Sequence, residues 1–217
     1  MNKNIYIEFI GMPASGKSHY LKIIKNNLKK IKVTTNNFNE LNKITKFFFL
    51  ILFIIKYLRY SFKILFIFLR LDFKNRETKR HFYYFRNEAP LRLYYKFQNK
   101  ILINSEGFRY RSVFYINSLR NKMNKNEIKN FIDSLPKVHL LIFVRSNKNL
   151  NIKRSKKRKN GYKYTTKDLK VYTKNERIIL QICKETRKKA LVVEIHKRTE
   201  KKDLKKILSI IKNIIKN

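Results

Sequence analysis

The chain lacks most of what cross-links or loosens a protein. A single cysteine, Cys183, excludes any intramolecular disulfide, and nothing in the composition points to an oxidising compartment. Only 14 of the 217 residues are acidic, four are glycine and three are alanine. Against 53 Lys and Arg, the shortage of acids leaves a formal net charge of +39, which taken alone points to nucleic acid or an anionic membrane. Lys, Ile and Asn, however, contribute 38, 28 and 24 residues, the imprint of AT-rich codons drifting into tolerant positions. Much of the charge is then background, and nucleic acid is not the expected partner. With 43% apolar and 14% aromatic residues the chain can bury a sizeable core, which excludes disorder as its main state. The length fits one domain, residues 1–217. Met1 to Asn4 is too short and polar for a signal peptide, so a reduced cytoplasm is the expected location.

Where glycine is this scarce, each one marks a place that tolerates no side chain. Gly11-Met12-Pro13-Ala14-Ser15-Gly16-Lys17-Ser18 satisfies the phosphate-loop pattern, two glycines separated by four residues and followed by lysine and serine. At the chain's own residue frequencies this arises by accident roughly once in a thousand such sequences. Its context agrees: Ile5 to Ile10 reads as a strand, and Ser18 to Lys30 carries Leu21, Ile24 and Leu28 at helical spacing. Backbone N–H groups from Met12 through Ser18, with His19 just beyond, would wrap a phosphate at the helix start. Lys17 would bridge β and γ phosphates, and the Ser18 hydroxyl would ligate Mg²⁺. The three-glycine spacing of a dinucleotide loop is missing.

Further strands are expected at Ile31 to Thr35, Ile101 to Ile103, Val138 to Val144 and Ala190 to Ile195, with helical patterns between them. Apolar strands alternating with helices predict a parallel sheet covered on both faces. The third strand runs into Asn104-Ser105-Glu106-Gly107, which places Glu106 at the carboxyl edge where such sheets bind ligands; a plain surface carboxylate is the alternative. Asn147 to Lys159 reads as a helix with Arg154 and Arg158 on one face, ending at Gly161. That face is either a fork for phosphate oxygens or a solvated basic surface. His19, His81, His139 and His196 show no metal-ligand spacing, and no zinc site is expected.

With these residues assembled, the sequence resembles the P-loop nucleoside and nucleotide kinases, particularly the thymidylate-kinase-like proteins. The resemblance rests on the phosphate loop, on Ser105-Glu106-Gly107 as the acidic strand-end motif, on Arg154 and Arg158 as lid arginines, and on Val193-Glu194-Ile195 with Lys197-Arg198-Thr199 as the last strand and adenine-side loop. It implies a three-layer α/β fold with five parallel strands in the order 2-3-1-4-5, a helical insert near residues 44–100 and a lid near 147–166. It also implies phosphoryl transfer from ATP with Mg²⁺ to a small acceptor. The family's Asp-Arg-Tyr or Glu-Arg-Ser is absent: Ser105 takes the aspartate position and no arginine directly follows Glu106. That argues against thymidylate as acceptor and leaves Arg109 and Arg111 as the nearest candidates to meet a phosphate.

The insert opens with an apolar block from Phe47 to Leu69. Lys56, Arg59 and Lys63 interrupt it, so it is not a membrane span. On one helix, Lys56, Arg59, Lys63 and Arg70 fall within an arc of about 60°, leaving a wide apolar face. Such a face either covers the sheet, packing on a helix from Arg76 to Glu88, or lies on a membrane surface. Two further functional classes therefore stay open beside the kinase: a membrane-surface nucleotide-binding module with weak ATPase, and a polynucleotide kinase or nucleic-acid binder.

Overall fold

In the computed structural model, residues 5–28, 33–35, 40–70, 76–98, 100–119, 125–157, 163–196 and 199–216 are described. Alternation along the first strand, β1 (Tyr6–Ile10), sets the architecture. Ile7 and Phe9 join the cluster built with Tyr20, Ile24, Ile207 and Ile211, while Tyr6 and Ile10 join a larger one on the opposite face. Helices α1 (Lys17–Asn27) and α9 (Glu200–Lys216) form the first layer. The second contains α4 (Arg76–Phe97), α5 (Phe108–Leu119), α6 (Lys125–Ser134) and α8 (Thr166–Arg187).

Between the layers runs a parallel five-stranded sheet, β2-β3-β1-β4-β5, with β2 (Val33–Thr35), β3 (Ile101–Asn104), β4 (Leu140–Arg145) and β5 (Leu191–His196). This is the order that the resemblance to the P-loop nucleoside and nucleotide kinases implies. Register places Glu8 beside Asn104, where β3 ends, and Ile10 beside Phe143, two residues before β4 ends, so the carboxyl ends step outward from β3 through β1 to β4. The strand order changes direction at β1, which puts the crevice of an open α/β sheet at its carboxyl end.

The apolar block is two helices rather than one: α2 (Lys43–Lys56), capped by Asn42, and α3 (Leu58–Arg70), meeting at Tyr57. They bury Phe53, Tyr60, Ile64, Ile67 and Phe68 in the larger cluster. The opposite side leaves Ile44, Phe47, Phe48, Ile51 and Ile55, then Leu58, Phe62, Leu65, Phe66 and Leu69, exposed to solvent. The block thus covers the protein and still presents an apolar face. Among the described residues no helix is long and apolar enough to cross a membrane.

The helix expected to stop at Glu88 instead runs through Pro90 to Phe97. Proline forfeits one backbone hydrogen bond there. Burial of Ala89, Leu91, Leu93 and Tyr95 on both sides of it outweighs that loss. Shorter than its expected span, α7 (Lys148–Lys156) contains Arg154. Arg158, Gly161, Lys197 and Arg198 lie outside the described residues, as does the start of the second expected strand.

Candidate functional site

The turn after β1 is built on residues that leave ordinary backbone space. Gly11 has φ +154°, and a Cβ there would lie 2.6 Å from the Val144 carbonyl oxygen. Ala14 sits at φ +61° and Gly16 at φ +109°, the latter as N-cap of α1. Lys17 therefore begins the helix with its side chain turned back over the loop, where Nζ donates to the carbonyls of Gly11 at 2.9 Å and Met12 at 3.0 Å. Ser15 Oγ is buried without a hydrogen-bond partner. Ser18 and His19 face solvent. Amides at a helix start, a buried hydroxyl and one ammonium make an anion cradle.

Two groups from beyond β4 fasten the loop from outside. Arg154 Nη1 donates to the Ser15 carbonyl at 3.1 Å, and the Tyr164 hydroxyl donates to the Pro13 carbonyl at 2.8 Å. The backbone N–H of Tyr164 donates to Ser155 Oγ at 2.9 Å, which ties the segment ahead of α8 to α7. The arginine that the sequence singles out is thus brought to the loop.

The acidic turn reaches the same edge. Asn104 ends β3 and accepts the Glu106 N–H at 2.9 Å, which fixes the turn. Glu106 is partly exposed and receives Arg111 Nη2 at 2.5 Å. Arg111 itself is buried, its guanidinium 3.7 Å from the Tyr84 ring centre. Tyr110 lies between the two halves of the site, its ring centre 4.5 Å from Lys17 Nζ and 5.5 Å from Arg111. An unbroken series, Lys17–Tyr110–Arg111–Glu106, links the loop to the turn.

Arg109 is not at the mouth. It is buried and donates to Glu8 Oε2 at 3.1 Å, to the Pro136 carbonyl at 3.1 Å and to Thr186 Oγ1 at 3.3 Å, so it cannot also meet a phosphate. Beneath the turn, the Tyr6 hydroxyl bridges Glu8 at 2.9 Å and Glu88 at 3.1 Å, and Asn104 Nδ2 donates to Glu88 at 2.7 Å. Burial first, then the Glu8 charge, pushes the Glu88 carboxyl up to about 8. Burial, with help from Arg111 and Arg80, lowers His81 to about 2; its ring stacks on Phe114 at 3.7 Å. Sequence reasoning passed over Glu8 and Glu88. The available signal was Glu8 itself, a carboxylate inside an otherwise apolar strand of an acid-poor chain.

No protein-family model and no curated protein matches the chain. Solved structures do match. Deoxyadenosine kinase from M. mycoides, with the products dCMP and a flexible dCDP bound, superposes at TM-score 0.54 with 16% identity, over 97% of this chain and 100% of that one. Thymidylate kinase from Ehrlichia chaffeensis gives 0.53 and 12%, over 96% and 99%. Thymidylate kinase from Candida albicans gives 0.55 and 16%, over 97% and 92%. The fold is therefore that of the P-loop nucleoside and nucleotide kinases, over nearly the whole chain.

Proposed function

We propose that the chain is a cytoplasmic P-loop phosphotransferase, one catalytic unit that moves the γ-phosphoryl group of Mg-ATP to a small hydroxyl or phosphate acceptor of nucleoside-like or related chemistry. The observation that carries this reading is the Lys17–Tyr110–Arg111–Glu106 series, which puts a phosphate-loop lysine and an acidic strand-end turn on one edge. Backbone N–H groups from Ala14 to Ser18 hold the phosphates, and Lys17 leaves the carbonyls of Gly11 and Met12 to meet them. Glu106 orients the acceptor, takes its proton as the new P–O bond forms, or holds a metal-bound water while ADP leaves. Arg154, already at the loop, stabilises the charge on the transferring group. Arg158 is assigned the same role on sequence alone.

Mg²⁺ bound with the nucleotide would neutralise phosphate charge. Among the described residues no three His, Cys, Asp or Glu side chains gather into a metal site. The exposed Ser18 hydroxyl fits an ion that keeps waters and phosphate oxygens as its main ligands.

The test is a screen of phosphoryl transfer from ATP to nucleosides, nucleotides, sugars and polyprenols. Lys17→Ala should abolish turnover while nearly keeping the unfolding temperature, since the lysine's ammonium meets carbonyls of its own loop and supplies charge rather than apolar packing. Undiminished transfer would end the kinase reading. Glu106→Gln should lower kcat by roughly 10²–10⁴-fold with little change in ATP affinity, the range for losing a positioned acid or base. A kcat equal to wild type would make Glu106 a surface carboxylate.

A second reading adds a location to the first. The ten exposed apolar side chains of α2 and α3 are fringed by Lys43, Lys56, Arg59 and Arg70, the last with its guanidinium 3.9 Å from the Phe66 ring centre. An apolar stripe with cations at its borders suits an anionic lipid surface. Two copies of a +39 chain repel one another, so charge favours the lipid over a second copy.

A further inference from the structure

A cavity of about 250 Å³ opens at the amino ends of the strands, among residues that have no part in the proposed transfer. Arg92, Lys96, Lys100, Lys137 and His139 line it, with Ile5 and Leu102 at the strand ends. The phosphate loop leaves the other end of β1, five residues or roughly 17 Å away.

Arg92 is the centre of this wall. It is only 7% exposed, held with its guanidinium 3.5 Å from the Tyr6 ring centre, and one nitrogen, Nη2, donates to the Lys137 carbonyl. Its other terminal nitrogen, Nη1, is buried without a hydrogen-bond partner. Leaving a donor on a charged group unmatched is costly, and the side chain that carries this one lines a cavity. His139 Nδ1 accepts the Tyr6 backbone N–H at 3.0 Å, so the neutral ring carries its proton on Nε2 and supplies another donor. The cations also oppose one another. Lys96 is lowered by burial and then by Lys56, Arg92 and Lys137, and His139 by burial and then by Lys137, Arg92 and Lys96. The carboxylate that meets this wall is Glu40, 3.6 Å from Lys100 and accepting from Tyr95.

We propose that this cavity is a second anion site, separate from the phosphate loop, that takes a compact polyvalent anion of phosphate or diphosphate chemistry. Its volume lies below the roughly 300–1,000 Å³ of drug-sized ligand sites, so a diphosphate group fits where a whole nucleotide does not. Arg92 Nη1 and the His139 Nε2–H would donate to its oxygens, with Lys96 and Lys137 supplying the charge at the rim.

The chain's four histidines make the two sites separable in one experiment. His19 follows the phosphate loop and His139 lines the cavity, so ¹H–¹³C spectra of the imidazoles during pyrophosphate titration, at physiological salt, read both at once. In the wild type both resonances should move. In Lys96→Gln/Lys137→Gln, whose replaced side chains are exposed and spare the core, the His139 response should weaken at least tenfold while His19 responds as before. A His139 resonance that stays still while His19 moves overturns the proposal. So does an equal His139 response in the two proteins, which would mean diffuse attraction to a basic surface.

Discussion

Gly107 shows how one absent methyl group shapes the edge of the sheet. A Cβ there would lie 2.2 Å from Glu8 Oε1, and Glu8 cannot retreat because Tyr6 and Arg109 hold its two oxygens. Gly107→Ala should therefore destabilise by about 1–3 kcal/mol, the cost of overpacking a filled site. For a chain of this size each kcal/mol corresponds to about 2–4 °C in Tm, measurable by thermal unfolding. An alanine variant with the parent Tm would show that the carboxylate network yields. Glu88, beside it, ties stability to pH. Its carboxyl is raised from 4.5 to about 8, so the folded chain binds that proton more tightly than the unfolded chain does. The resulting stabilisation is complete below the unfolded value, falls as pH rises towards about 8, and is gone above it. Unfolding temperatures from about pH 5 to about pH 8 should fall more in the wild type than in Glu88→Gln, which has no proton to lose. Parallel curves would remove Glu88 as the cause.

At the scale of elements, α2 and α3 carry two duties on opposite sides. Phe53 and Tyr60 are buried, whereas Phe48 is 56% and Phe62 64% exposed. Phe48→Glu/Phe62→Glu should therefore leave Tm nearly unchanged, since surface substitutions stay within about 0.5 kcal/mol each. The same pair should abolish flotation of the protein with anionic liposomes. A wild type that ignores liposomes, or a stable dimer that the double variant splits, would assign the face to another occupant. Helical periodicity made the block legible, but its division at Tyr57 was not, because the apolar pattern continues across the joint. Nor did the sequence disclose that α4 runs through Pro90, since a local rule against proline says nothing of the buried neighbours that override it.

For the whole molecule, what could be read in advance is what lies close along the chain. Gly11 to Ser18 is contiguous, and Glu106 follows soon after the end of β3, so strand, loop and acidic turn were all legible, and the sheet order came from the family resemblance that they carry. The buried network was not. Arg109 meets Glu8 across 101 residues and Tyr6 meets Glu88 across 82, separations at which no spacing rule operates. Arg109 consequently looked like a phosphate ligand when it is a partner of Glu8.

The outward fastening of the phosphate loop has a consequence for the order in which things arrive. Five of the six carbonyls from Gly11 to Gly16 are already engaged: those of Gly11 and Met12 by Lys17, that of Pro13 by Tyr164, that of Ser15 by Arg154 and that of Gly16 by the Tyr20 N–H. A hard cation needs oxygen ligands, and these oxygens are taken. The loop thus turns a donor-rich interior to a visitor and withholds its acceptors. A bare divalent ion finds little to hold it there, while a phosphate chain that brings its own oxygens supplies the rest of the coordination shell. In the proposed transfer these loop residues would hold a metal only together with the nucleotide that carries it.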